Sequence, residues 1–276
     1  MSEKRMAIVY DVDGTLVKSY LSSVCMYEML GINGLEYWGE FLEKSKEINV
    51  EPNLMLAFEG YKMVRKYLPK DKKLMDIIKE GTKNVVVFKG LDTWFDNLNE
   101  IAKQNGIILE HFIISSGEAH IIQEMPFAKH MKHIFATKFF LDEDGIPLAP
   151  SVYVSSTGKT EWLYRISKGV FQASNTDDLF AKKAKDERYV NWENMIYIGD
   201  GETDVPCMKL LKNKGGHPIA VYYDSEKKKQ SVEKLFANNR VNFIAPADYS
   251  KNSPLFNYVV KIIKEISAKL KNEYNE

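Results

Sequence analysis

The chain has 276 residues, 45% hydrophobic and 28% charged, with 38 Lys+Arg against 38 Asp+Glu. That is the balance of a folded globular protein rather than a disordered or fibrous one, and zero net charge gives no overall field to hold nucleic acid or an anionic membrane. Two cysteines, Cys25 and Cys207, with no CxxC pair and no zinc-ligand spacing, supply neither a disulfide framework nor a structural zinc site. The first six residues, MSEKRM, lead into a four-residue apolar stretch too short for a signal peptide or a membrane span, so the expected location is the cytoplasm.

In chain order, short apolar runs alternate with longer helical patterns, which predicts an α/β protein with a Rossmann-like parallel sheet and helices on both faces. Residues 7–10 form the first predicted strand. Residues 20–85 carry no strand signal, while Met26, Met29, Leu30, Leu54, Phe58, Tyr61, Val64, Tyr67 and Leu68 recur at helical spacing, so this stretch reads as a helical insert. Residues 112–114 form a second strand. Residues 135–154 then read as two strands joined by Asp142-Glu143-Asp144-Gly145, a β-hairpin excursion. Residues 175–188 are polar and read as a surface excursion. Residues 195–198, 219–222 and 241–244 complete the predicted strands, and residues 254–271 a closing amphipathic helix.

Polar turns end three of these strands, and in open α/β sheets ligands sit outside the carboxyl ends of the strands. The first turn is Asp11-Val12-Asp13-Gly14-Thr15, in which alternation sends Asp11 and Asp13 to one side and Gly14 lets the backbone turn away. Read alone it could be a calcium-loop fragment or a surface turn, but no EF-hand spacing continues to a terminal Glu. The second turn is Ser115-Ser116-Gly117, read as opening a helix whose N–H groups would accept an anion. The third is Gly199-Asp200-Gly201-Glu202-Thr203-Asp204, where a helical turn would bring Asp200 and Asp204 to one face, or Asp would act as an N-cap. Lys159 lies before an apolar helical pattern. If the four carboxylates meet at one sheet edge, each like-charge pair ~4 Å apart costs about 4 kcal/mol at an effective dielectric of ~20, and a cation with oxygen ligands, Mg²⁺, relieves it.

The ordered set of carboxylate pair, hydroxyl, lysine and carboxylate pair resembles the haloacid dehalogenase-like (HAD) hydrolase superfamily. In that family's terms residues 11–15 match motif I, Ser115 motif II, Lys159 motif III and residues 199–204 motif IV. The resemblance implies that Asp11 is a nucleophile forming an aspartyl-phosphate and that Asp13 is the general acid and base. It also implies that Ser115, Ser116, Gly117 and Lys159 hold the substrate phosphate. Asp11, Asp200 and the Asp13 backbone carbonyl would hold Mg²⁺, with Asp204 supporting the metal or positioning Lys159. The family's dehalogenases lack the second aspartate, so Asp13 points to phosphoryl chemistry; its ion pumps need membrane helices, which this sequence lacks.

The insert falls where family members carry a cap. The implied organisation is a catalytic core of residues 1–19 and 86–276 and a helical cap of residues 20–85, most like the phosphoserine-phosphatase-like group. That group places a glutamate for the substrate amine where Tyr20 stands here, so phosphoserine is not the expected substrate. The expectation is a Mg²⁺-dependent phosphatase acting on a small phosphorylated metabolite, with neither nucleic acid nor a membrane as partner. A phosphomutase of the same superfamily and a non-catalytic metabolite-binding protein are the alternatives. Arg65 reads as an exposed helix arginine or a holder of a substrate anion, and Tyr20, Tyr27, Tyr37, Trp38 and Phe41 mostly as packing of the insert. His130 and His133 read as surface residues without an acidic partner, Lys227-Lys228-Lys229 as a solvated loop, and Cys207 as buried and apolar.

Overall fold

The computed structural model describes residues 4–273. Its centre is a seven-stranded sheet in the order β4-β3-β2-β1-β5-β6-β7. The strands are β1 (Arg5–Tyr10), β2 (Ile108–Glu118), β3 (Met131–Leu141), β4 (Pro147–Val152), β5 (Met195–Gly199), β6 (His217–Tyr222) and β7 (Phe243–Pro246). All pairs are parallel except β3 with β4, the predicted hairpin at one edge.

Strand alternation distributes side chains to two cores. Met6, Ile8 and Tyr10 of β1 face one side, beneath helices α4 (Leu91–Gln104) and α10 (Pro254–Glu273), through Trp94, Leu98, Leu255 and Ile262. Ala7 and Val9 face the other, beneath α6 (Lys159–Lys168), α8 (Val205–Asn213) and α9 (Glu226–Ala237), through Trp162, Leu163, Met208, Leu211 and Val232. A strand covered on both faces needs apolar residues at successive positions, which is why residues 6–10 are buried without a break. Each fully buried Leu, Ile or Met contributes about 1.5–3 kcal/mol relative to exposure.

One polar network crosses the first core. Trp94 Nε1 donates to Tyr10 Oη at 2.9 Å, Tyr10 lies 2.9 Å from His111 Nδ1, and His111 Nε2 lies 3.0 Å from Asn99 Oδ1. The amide oxygen only accepts, so Nε2 carries the proton and Nδ1 accepts from the phenol. Burial pushes His111 down to about 3, which keeps the ring neutral.

Between β1 and α4 lie a π-helical turn (Ser23–Tyr27) and helices α1 (Gly34–Glu47), α2 (Pro52–Tyr67) and α3 (Leu74–Gly81), which make up the helical stretch expected there. The segments leading into and out of it are tied together: Lys18 N donates to Val86 O, and Phe88 N to Leu16 O. Its far side meets the hairpin. Tyr61 and Phe139 cross edge to face at 4.5 Å, Arg65 pairs with Asp142 at 2.8 Å, and Tyr153 donates to Glu51. Arg65 therefore points at the hairpin.

Residues 175–188 contain one short helix, α7 (Asp177–Phe180). They are fastened to α6 by Lys168, which donates to Ala181 O, and by Arg165, which donates to the carbonyls of Gln172, Ala173 and Asn175. No helix among the described residues is long and apolar enough to cross a membrane.

Candidate active site

Register brings the site together. Tyr10 is level with Ile113 of β2 and with Ile198 of β5, so the residues that follow emerge side by side, and Asp11 N donates to Ile198 O at 2.9 Å. After Asp11 the chain turns tightly: the Val12 carbonyl accepts from the N–H groups of Thr15, Leu16 and Val17. The turn requires glycine at position 14. Its φ is +75°, and a Cβ there would stand 2.3 Å from Asp200 Oδ2. Removing that side chain lets the Asp200 carboxylate lie against the first turn.

Asp200 follows β5, a single helical turn covers Glu202–Asp204, and Asp204 precedes α8. This turn folds Asp204 back beneath the strand ends, where it is wholly buried. Lys159, the first residue of α6, reaches the same point. Its Nζ donates to Asp11 Oδ1 at 2.8 Å and to Asp204 Oδ1 at 2.7 Å, and Tyr197 Oη donates to Asp204 Oδ1 at 2.7 Å. Lys159 is 2% exposed. Burial alone would lower its affinity for a proton, but Asp11 and Asp204 outweigh that and hold it firmly charged.

The carboxylates behave differently. Burial, with Asp204 and Asp200 nearby, raises Asp11 well above the ordinary range despite Lys159. Asp13 accepts from Leu21 N at 3.0 Å through Oδ1, and burial pushes it up to about 6. A carboxyl that changes protonation near neutral pH suits proton transfer. Burial likewise raises Asp200.

Asp11, Asp200 and Asp204 each offer an oxygen within 4.8 Å of the others, and Asp204 Oδ2 is buried with no hydrogen-bond partner. An all-oxygen donor set, with one carboxylate oxygen left over in a buried cluster, fits a hard divalent cation such as Mg²⁺. The Asp13 carboxylate lies outside this cluster.

Ser115 is buried and its Oγ accepts from Gly117 N at 3.0 Å. The helix expected to open at Ser116 and Gly117 is not there. β2 continues to Glu118, with a register shift against β3 between Ile114 and Glu118, and only the four-residue helix α5 (Ala119–Ile122) follows. Thr137 Oγ1 donates to Ser116 O and anchors the irregular strand to β3, which overrides the turn signal of Ser-Ser-Gly.

Two further corrections concern basic residues. Residues 226–229 are helical, begun by Ser225, whose Oγ accepts from Lys228 N, and Lys228 Nζ reaches Asp200 Oδ2 at 2.8 Å. The run is therefore not simply a solvated loop. His130 is half-buried, stacked on Phe95 with centroids 4.9 Å apart, and its Nδ1 lies 3.6 Å from Asp96. Cys207 is buried, as expected.

Asp11, Asp13, Ser115, Lys159 and Asp200 line one cavity of about 570 Å³. Tyr20, Tyr27, Trp38, Glu118 and Phe139 also line it. Glu118 and Lys228 carried no signal in the motif pattern. Only the bulged strand and the β6–α9 crossover bring them here.

No family model matches the chain. An uncharacterized protein of Borreliella burgdorferi is 24% identical to it over 287 residues, 95% of this chain and 97% of that protein. Among solved structures, a HAD family hydrolase from Salmonella enterica serovar Typhi superimposes with a TM-score of 0.53 at 15% identity over 81% of this chain, which spans 64% of that one. An apo phosphoserine phosphatase gives 0.54 at 15% identity, covering 87% of this chain and 93% of its own. Cytosolic 5′-nucleotidase IIIB bound to cytidine gives 0.55 at 13% identity, covering 98% and 88%. The fold is HAD-like, of the phosphoserine-phosphatase-like kind.

Proposed function

We propose that the protein is a phosphatase that hydrolyses a small phosphate monoester through an aspartyl-phosphate on Asp11. The observation that carries this reading is the Lys159 ammonium held between Asp11 and Asp204 at 2.8 and 2.7 Å, in a cavity that Asp13, Ser115 and Asp200 also line. A cavity of this size suits a small ligand.

Asp11, Asp200 and Asp204, with the Asp13 backbone carbonyl, would hold the Mg²⁺ ion, which supplies charge neutralisation for the phosphoryl oxygens. Lys159 adds a fixed positive charge, and Ser115 Oγ and the Ser116 and Gly117 backbone contribute hydrogen bonds to phosphate oxygens. The Asp11 carboxylate attacks phosphorus, the ester P–O bond breaks, and the alkoxide takes the Asp13 proton. Water then attacks the aspartyl-phosphate and gives a proton back to Asp13, inorganic phosphate leaves, and Asp11 is restored. The helical insert of residues 20–85 acts as a cap that keeps bulk water from the intermediate.

The test is phosphate release from p-nitrophenyl phosphate and a panel of metabolite phosphates, with Mg²⁺ and with EDTA. Activity that needs Mg²⁺ and is lost in Asp11→Asn, with an unchanged circular dichroism spectrum, is expected. No release from any ester would sink the reading, and isomerisation of phosphate position without release would replace it with a mutase.

A further inference from the structure

The two segments assigned above to the phosphate come from different parts of the fold: residues 115–117 of β2, and the turn that starts α6 at Lys159. Neither is held by a regular ladder. Ile114 pairs with Phe135 and Glu118 with Thr137, so Ser115, Ser116 and Gly117 stand against Ala136 alone. β4 ends at Val152, which pairs with Lys138, so Val154 and Ser155 lie beyond the hairpin. Backbone groups freed from a ladder need other partners.

One side chain serves both segments. Thr137 is 2% exposed, and its Oγ1 donates to Ser116 O at 3.0 Å and accepts from Val154 N at 3.3 Å. A hydroxyl has a single proton, so with that proton on Ser116 O, Thr137 has none to give a phosphate oxygen. On the β2 side its hold reaches Ser115 and Asp13. Gly117 N donates to Ser115 Oγ at 3.0 Å, which occupies a lone pair and leaves the Ser115 proton for a ligand. A Cβ at Gly117 would stand 3.3 Å from that Oγ and 3.8 Å from Asp13 Oδ2, so the bulge lies against the proposed acid. On the other side Ser155 follows Val154. Its carbonyl accepts from Lys159 N at 3.0 Å, and its Oγ accepts from Gly158 N at 3.0 Å. The backbone position of Val154 therefore sets where α6, and with it the Lys159 side chain, begins.

Resting on the phosphatase reading above, we infer that Thr137 is a positioning residue: its hydroxyl ties the Ser115 bulge to the segment leading into Lys159, and so fixes the separation of the two groups that grip the phosphoryl oxygens. Displacing such groups by about 1 Å can cost about 10²-fold in rate.

The experiment compares Thr137→Val, which keeps the shape and loses the hydroxyl, with Thr137→Ser, which keeps the hydroxyl, in the full-length protein. Binding of inorganic phosphate in the presence of Mg²⁺, measured by calorimetry, reads the site without turnover. Thr137→Val is expected to weaken phosphate at least tenfold and to lower kcat/KM for p-nitrophenyl phosphate at least tenfold, with Thr137→Ser within about threefold of the parent in both. Binding of Mg²⁺ alone should stay within about twofold in both variants, since Asp11, Asp200 and Asp204 stand on other elements. If Thr137→Val does not fold, Thr137→Ala against Thr137→Ser isolates the hydroxyl a second time. A merely structural role would lower the unfolding midpoint and leave phosphate affinity unchanged, and that result would overturn the proposal. Equal losses in the valine and serine variants would overturn it too, as would Mg²⁺ binding that weakens as much as phosphate binding or a parent that binds no phosphate. No phosphate release from any ester by the parent strikes instead at the phosphatase reading, and the phosphate affinities of the variants still decide the role of Thr137.

Discussion

The Lys228 ammonium touches Asp200 Oδ2 at 2.8 Å, on the carboxylate that also offers an oxygen within 4.8 Å of carboxylate oxygens of Asp11 and Asp204. A Mg²⁺ ion held as proposed would therefore contend with Lys228 for the same acidic group. Lys228→Met should tighten Mg²⁺ binding severalfold, read by isothermal calorimetry of the substrate-free protein. A weaker or unchanged dissociation constant would show that Lys228 and the ion do not compete.

Lys159 is the counter-charge for two buried carboxylates. Its removal in Lys159→Met leaves them unpaired, and breaking a buried pair costs about 3–5 kcal/mol. Urea unfolding should show that loss without metal, and Mg²⁺ should restore part of it, because an ion bound only by the folded state adds stability. A variant as stable as the parent without Mg²⁺ would contradict the arrangement.

The role given to Asp13 depends on the leaving group. An alkoxide needs a proton as it departs, whereas p-nitrophenolate does not. Asp13→Asn should slow alkyl ester turnover by roughly 10²–10⁴-fold and should reduce the burst of p-nitrophenolate far less. Equal losses on both substrates would remove Asp13 as the acid.

Glu118 is a buried carboxyl whose titration acts on stability. Its folded value, about 7, lies above its free value of 4.5, so the unfolded chain ionises first as pH rises. Stability from the neutral form is complete below about pH 4.5 and is lost as pH rises to about 7. Glu118→Gln should match the parent at pH 4 and exceed it by on the order of 3 kcal/mol above pH 7. Denaturant midpoints that differ equally at both pH values would refute this.

Much of this arrangement is legible in the chain. Uninterrupted burial of residues 6–10 makes β1 visible as an apolar run; Asp11 and Asp200 stand out because each follows such a run directly, and Asp13 and Asp204 because they lie in the turns that begin there. Lys159 is visible only through its company, since a lone lysine before a helix carries no signal. Ser116 and Gly117 were misleading for a physical reason: local turn preference gives way when Thr137 of the neighbouring strand binds the Ser116 carbonyl. Lys228 is hidden because three adjacent lysines look alike, and only the helix start at Ser225 decides which one faces Asp200. His111 is hidden for a similar reason, because its partners Tyr10 and Asn99 come from different elements.

The antiparallel hairpin has a consequence for the outer border of the protein. β4 is the terminal strand on one side, and it contains Pro147 and Pro150, while β7 on the other side ends in Pro246. Proline has no N–H to offer an incoming strand. Phe140, Leu141 and Leu148 are more than half exposed beside the β4 edge, a combination that invites strand addition and aggregation. The prolines interrupt the row of donors that a second molecule would need, so the same hairpin that braces the helical insert also limits growth of the sheet.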